Sequence, residues 1–256
     1  MATTYTPAPQ EGEIAVMSWL DHARELRNRL VKACLAVLVG LLIGMWLISR
    51  NNYALVDALI YHFTLNGLQA IRPAEAFTNV VKLGLGIGVA LAMPVIIYQI
   101  LAFVVPALTH RERRIIFIVL PFVILCFIAG LMFGWFITIP TALKWLLSFG
   151  PASIESRPTV EYFLSFFVRL MLVNGVLFEL PVLVYGLIWL GVVDRRTLTR
   201  YRRYSILVIV ILSAIITPTS DLINLSFTAI PMYLLYELGL LLALVAPRKR
   251  TTAPAG

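Results

Sequence analysis

Phe77–Val105 reads FTNVVKLGLGIGVALAMPVIIYQILAFVV, and Lys82 is its single charge. A helix needs roughly 20 apolar residues to cross the hydrocarbon core of a bilayer, so this stretch is long enough to span one. Gly84 and Gly88 lie four apart within it, a spacing that lets two helices approach closely in lipid. Comparable runs recur on both sides. They are Leu30–Ile48, with Lys32 near its start, the uncharged Ile115–Ile139, and Tyr162–Leu190, which carries Arg169, Asn174 and Glu179. Ile206–Ile216 follows as a short run, then Leu222–Val245 with Pro231 and Glu237. The pattern predicts an all-α, polytopic membrane protein with six transmembrane helices, the last two short. It predicts one integral membrane domain over 1–256, with 1–16 and 248–256 as flexible tails.

Composition agrees. Of 256 residues, 60% are hydrophobic and 13% charged, with a mean hydropathy of +0.90; a soluble domain carries about 25% charged residues. The net charge of +8 suggests nucleic acid at first sight, but its distribution does not. With the N-terminus inside, the inner segments carry fifteen Lys and Arg residues and the outer loops four, Arg50, Arg72, Lys144 and Arg157. Such an asymmetry is the positive-inside signature. It predicts that both termini face the cytoplasm, and it accounts for the basicity without nucleic acid. Residues 1–29 are polar and contain Pro7 and Pro9, so the expectation there is a retained segment, not a cleavable signal. Cys34 and Cys126 fall in apolar runs at different depths and read as small buried hydrophobes, with no disulfide or metal role.

The fifth run has eleven residues, which span about 17 Å as a helix against a core of about 30 Å. Thr217-Pro218-Thr219-Ser220-Asp221 then turns the chain. Either a short hairpin carries its polar tip below the outer surface, or Tyr201–Ser205 extend the helix to a normal span. Pro231 is expected to interrupt the last run. Gly40/Gly44 and Gly130/Gly134 repeat the four-residue glycine spacing and read as internal packing.

No catalytic motif is present: the sequence has no HExxH, GxSxG or P-loop, and no enzyme, metal or cofactor is predicted. Charges within the runs matter more, because they are costly in lipid. Glu179 is deepest, followed by Pro181. It either hydrogen-bonds a neighbouring helix for packing or meets a partner helix. Lys82 and Arg169 read as snorkelling residues near the outer face. Glu25 and Glu112 each sit among arginines. Physics alone makes Glu25 and Arg29 an ordinary i,i+4 pair and Glu112 a local charge offset.

A resemblance covers residues 17–245. The segments are His22-Ala23-Arg24-Glu25-Leu26-Arg27-Asn28-Arg29, Pro73-Ala74-Glu75-Ala76-Phe77 with Lys82, and Pro94-Val95-Ile96-Ile97-Tyr98-Gln99. Phe103, Pro106, Glu112-Arg113-Arg114 and Phe178-Glu179-Leu180-Pro181 follow. Thr217-Pro218, Asp221 and Ala229-Ile230-Pro231-Met232 close the set. In this order the motifs resemble the TatC family, the signal-receptor subunit of the twin-arginine protein translocase. Leu101, Ala58 and Leu225 depart from the family pattern.

The resemblance implies a receptor in the bacterial cytoplasmic (inner) membrane that binds twin-arginine signal peptides of folded cargo. It implies assembly with TatA- and TatB-type single-span subunits, a homo-oligomer within the receptor complex, and transport driven by the proton-motive force. Carried over residue by residue, Glu25, Glu112, Arg27 and Phe103 are the expected signal-binding residues. Glu179, Thr217 and Asp221 are the expected partner-helix contacts or intramembrane polar residues. A small-solute transporter built on Arg169 and Glu179, and an intramembrane enzyme, are the rival classes.

Overall fold

The computed structural model describes residues 19–50, 53–63, 68, 73–104, 110–148, 158–189, 193–217 and 222–245. Its elements are helical, as lipid requires of a chain that must satisfy its backbone groups internally. They are α1 (Trp19–Arg50), α2 (Ala54–Phe63), α3 (Pro73–Val104), α4 (His110–Phe133) and α5 (Ile139–Ser148). α6 (Val160–Leu177), α7 (Leu180–Trp189), α8 (Arg195–Arg200), α9 (Arg202–Ile216) and α10 (Leu222–Val245) follow among the described residues. A π-helical turn, Gly134–Thr138, joins α4 to α5 in one rod.

Among the described residues, five stretches are long and apolar enough to cross a membrane: Ala23–Arg50, Phe77–Ile100, Val119–Ser148, Val160–Trp189 and Leu225–Leu244. α9 is the sixth. Its 15 residues extend about 22 Å at the helical rise, so it starts earlier than the apolar run but stays short of the core. α10 differs from expectation. It runs unbroken through Pro231 for 24 residues. One missing N–H removes one ladder bond, and neighbouring helices make that tolerable in a membrane helix.

Glycine sets the first helix pair. A Cβ on Gly40 would fall on the carbonyl oxygen of Gly88, and one on Gly44 would lie 2.6 Å from that of Gly84. α1 and α3 therefore pack antiparallel, backbone against backbone, with residues whose numbers sum to 128 lying level. Next, α3 packs parallel to α6: Lys82 Nζ donates to Ser165 Oγ at 3.1 Å, and a Cβ on Gly86 would meet Val168. On α4, Gly130 lies against the backbone of Asn174 and Gly175 of α6. Each of the three spaced glycine pairs thus serves close packing.

The fourth span bends at Phe178–Glu179, between α6 and α7. Its first half packs on α3 and α4, its second on α10, where Gly239 meets Pro181 and Val184. One core, including Ile48, Ile139, Phe163 and Phe167, lies around α6; a second, including Val184, Met232, Tyr236 and Leu240, joins α7, α9 and α10. α2, a loop by sequence reasoning, is docked by His62 stacked on Trp135 at 5.4 Å and by Phe63 edge-on to the same ring at 5.0 Å.

Lys82 does not merely snorkel. Its Nζ donates to Glu161 Oε1 of α6 at 2.9 Å, an ion pair that ties two spans. Arg169 is exposed on α6. Cys34 is exposed and Cys126 half-buried; neither is in a disulfide. The outward faces of α1 and α9 carry exposed Leu38, Leu42, Leu207 and Ile211, the apolar surface that lipid covers.

Candidate functional site

The glycine register fixes what stands at the N-terminal end of α1. Numbers summing to 128 bring Arg29 level with Gln99 and Glu25 level with Phe103 of α3. Arg29 Nη1 does point at Gln99 Oε1, 3.5 Å away. Arg29 also donates from Nε (3.0 Å) and Nη2 (2.5 Å) to Glu25 Oε1. Both side chains are largely covered, at 22% and 19% exposure. The other carboxylate oxygen, Glu25 Oε2, is buried and has no hydrogen-bond partner.

The i,i+4 pair read from the sequence is therefore present, and it is incomplete. One oxygen of Glu25 takes both bonds from Arg29, so an acceptor stays open to a second donor. A guanidinium offers two parallel N–H groups to a carboxylate, a fit that ammonium lacks. Arg27, two residues from Glu25, lies about 200° around the helix. It is exposed, so the fold does not bring it to the carboxylate. Phe103 is half-buried at the end of α3. Glu112 falls in the first turn of α4; its side chain lies outside the described residues. Gln99 is the member of this group to which sequence reasoning gave no role. Pairing the two spaced glycine motifs antiparallel would have found it.

A second polar position sits at the bend. Glu179 N bonds to Val176 O at 3.1 Å, and Glu179 O accepts from Leu183 N at 2.9 Å. Pro181, in the first turn of α7, has no N–H to give, which is why the bend falls here. Glu179 Oε1 is buried without a partner. Nearby Asn174 is satisfied: Nδ2 donates to Leu170 O at 2.8 Å, and Oδ1 accepts from Thr138 of the π-turn at 3.1 Å.

Third, Thr217 ends α9, and its hydroxyl donates back to Ser213 O. Ser213 is buried and donates to Met232 Sδ of α10 at 3.3 Å. Asp221 lies outside the described residues. Glu237 accepts from Arg202 Nη2 at 2.8 Å and from Tyr233 at 2.9 Å. Among the described residues, no group of three His, Cys, Asp or Glu side chains is placed to hold a metal ion.

Residues 21–231 match the family model described as Sec-independent protein translocase protein (TatC). The chain is 34% identical over 236 residues to the protein of that name from Aquifex aeolicus, covering 91% of this chain and 98% of the relative. It is 33% identical over 250 residues to the one from Deinococcus radiodurans, covering 95% and 91%. A crystal structure of the twin-arginine translocase receptor TatC superposes with a TM-score of 0.74 at 34% identity. That match covers 89% of this chain and 100% of the other.

Proposed function

The chain belongs to the TatC family of protein translocase components, and from that premise we propose that it is the subunit that receives twin-arginine signal peptides. As a family member it is a multi-pass membrane protein of protein transport and not an enzyme. The receiving site is the Glu25 end of the bundle, formed by Glu25, Glu112 and Phe103. That end faces the cytoplasm across the inner membrane, with both termini on the same side.

The observation that carries this reading is the open oxygen of Glu25. A buried carboxylate oxygen without a donor costs about 1–3 kcal/mol or more, since the group is charged. An incoming guanidinium removes that cost by bonding Oε2, or by taking over Oε1 while Arg29 turns to Gln99. Glu112 supplies the second carboxylate, so that two adjacent arginines are read together. Phe103, level with Glu25, offers an apolar contact to the signal's following residues.

Glu179 has the same character at the bend. Its buried oxygen, unpartnered among the described residues, suits a donor on a single-span partner of the TatA or TatB type. Thr217 and Asp221, at the end of the short helix, form the outer part of that contact. Several copies of the chain assemble in the receptor complex.

The test is co-purification of the detergent-solubilised chain with a twin-arginine precursor and with its twin-lysine counterpart. The arginine form is expected to be retained and the lysine form largely lost. Equal retention of both would refute recognition by carboxylate and fork.

A further inference from the structure

We propose that Arg195–Tyr204, with the adjoining outward face of α9, is a binding site for an anionic phospholipid. The site is at the Glu25 end of the bundle. α3 is antiparallel to α1 and parallel to α6, so α7 ends, and α8 begins, at that same end.

Five arginines fall within ten residues: Arg195, Arg196, Arg200, Arg202 and Arg203. Among the described residues, Arg202 alone of the five is in an ion pair, with Glu237 at 2.8 Å. The other four leave an excess of positive charge, with exposed Asp194 as the carboxylate beside them. Arg195 Nε is buried without a hydrogen-bond partner, a donor already desolvated and unmet.

Aromatic rings hold two of the cations. The Arg203 guanidinium lies 4.9 Å from the Tyr204 ring centroid, and that of Arg200 lies 6.0 Å from Tyr201. Arg203 also donates from Nη2 to the Tyr204 hydroxyl at 3.2 Å, and contact with a ring face leaves the other N–H groups of both guanidiniums turned toward phosphate oxygens. Tyr201 and Tyr204 are themselves exposed, at the level where amphipathic rings mark the membrane interface.

Directly beyond them, α9 exposes Ile206, Leu207, Val208 and Ile211. A ligand that fits both parts carries negative charge at one end and apolar chains behind it. A phospholipid with a net-negative headgroup has that form, with phosphate on the arginines and acyl chains along α9. A cationic signal segment is repelled here, so this surface and the carboxylate site take ligands of opposite charge.

The test uses the purified full chain in nanodiscs of phosphatidylcholine with one-fifth phosphatidylglycerol, followed by detergent extraction and native mass spectrometry of the retained lipid. The parent is expected to retain phosphatidylglycerol over phosphatidylcholine by at least fivefold. Combined Arg195→Gln, Arg196→Gln, Arg200→Gln and Arg203→Gln substitutions should abolish that preference, while the four corresponding Lys substitutions keep it within about twofold.

These arginines also set topology, so a second measurement uses the parent alone. Raising salt until the Debye length falls from about 8 Å to about 3 Å should reduce the preference severalfold. Retained preference in the Gln variant or at high salt would overturn the proposal. So would displacement of the lipid by inorganic phosphate or polyglutamate, since the site would then take soluble anions.

Discussion

Glu25 and Arg29 share two hydrogen bonds on a single carboxylate oxygen, Oε1, while Oε2 of the same group is buried and unmet. A half-used carboxylate next to the end of α3 is a pair that can be completed or exchanged. Removing its charge should therefore affect ligand binding more than folding. Glu25→Gln keeps an acceptor, and Glu25→Ala does not. Precursor affinity is expected to fall about tenfold in the alanine variant, about 1.4 kcal/mol and near the lower end of the range for charged hydrogen bonds. The glutamine variant should fall less. Titration of a labelled precursor on detergent-solubilised protein measures this. A Glu25→Ala, Glu112→Ala double variant that binds like the parent would remove both residues from the site.

The α1–α3 contact tolerates no added side chain. A Cβ on Gly88 would fall on the backbone of Leu41 and within 2.7 Å of the Gly40 carbonyl carbon, atoms that cannot rotate away. Gly88→Ala should cost about 1–3 kcal/mol, as overpacking does, and should shift the register that sets Arg29 against Gln99. Gly186 on α7 has nothing within 4 Å of its Cβ position. Gly186→Ala should be neutral or slightly stabilising, by helix propensity. Thermal midpoints in one detergent compare them, and similar losses in both would contradict the packing account.

Two buried asparagines make a matched pair. Asn79 is 1% exposed, with neither amide atom hydrogen-bonded, whereas Asn174 bonds Leu170 and Thr138. Replacing an unmet polar group with an apolar one of similar size is near neutral or stabilising, while breaking a satisfied group costs about 1–3 kcal/mol. Asn79→Leu should hold or raise the thermal midpoint, and Asn174→Leu should lower it. The reverse order would mean that Asn79 has a partner beyond this chain.

Glu179 separates packing from assembly. Glu179→Gln keeps the hydrogen-bonding shape, and Glu179→Leu removes it. Co-purification of a single-span partner should drop clearly in the leucine variant and little in the glutamine one, with the thermal midpoint of the isolated chain nearly unchanged in both. Full partner recovery in each would leave Glu179 a packing residue.

Topology is open to direct labelling. Tyr61 is exposed on α2 and Thr199 on α8, at opposite ends of the bundle. With Cys34 and Cys126 replaced, Tyr61→Cys should react with an impermeant thiol reagent on intact cells, and Thr199→Cys only after lysis. Labelling at 199 alone would invert the orientation.

The number of spans, their class and the short fifth helix were legible in the sequence. Long apolar runs must become helices in lipid, and length in residues converts directly to height. The glycine spacings were legible too, as surfaces for close approach, but not which helix each one meets. Partner choice was decided by tertiary structure, because contacts between helices distant in the chain depend on shape at both surfaces. The same holds for Lys82: its charge was visible, but Glu161, 79 residues on, becomes its partner only once α3 and α6 lie parallel. Continuity through Pro231 and the docking of α2 on Trp135 likewise depend on neighbours that a local reading does not see. Glu25 shows the division most plainly. Its bond to Arg29 is local and follows from helical periodicity. The burial that leaves its second oxygen without a partner exists only in the folded chain.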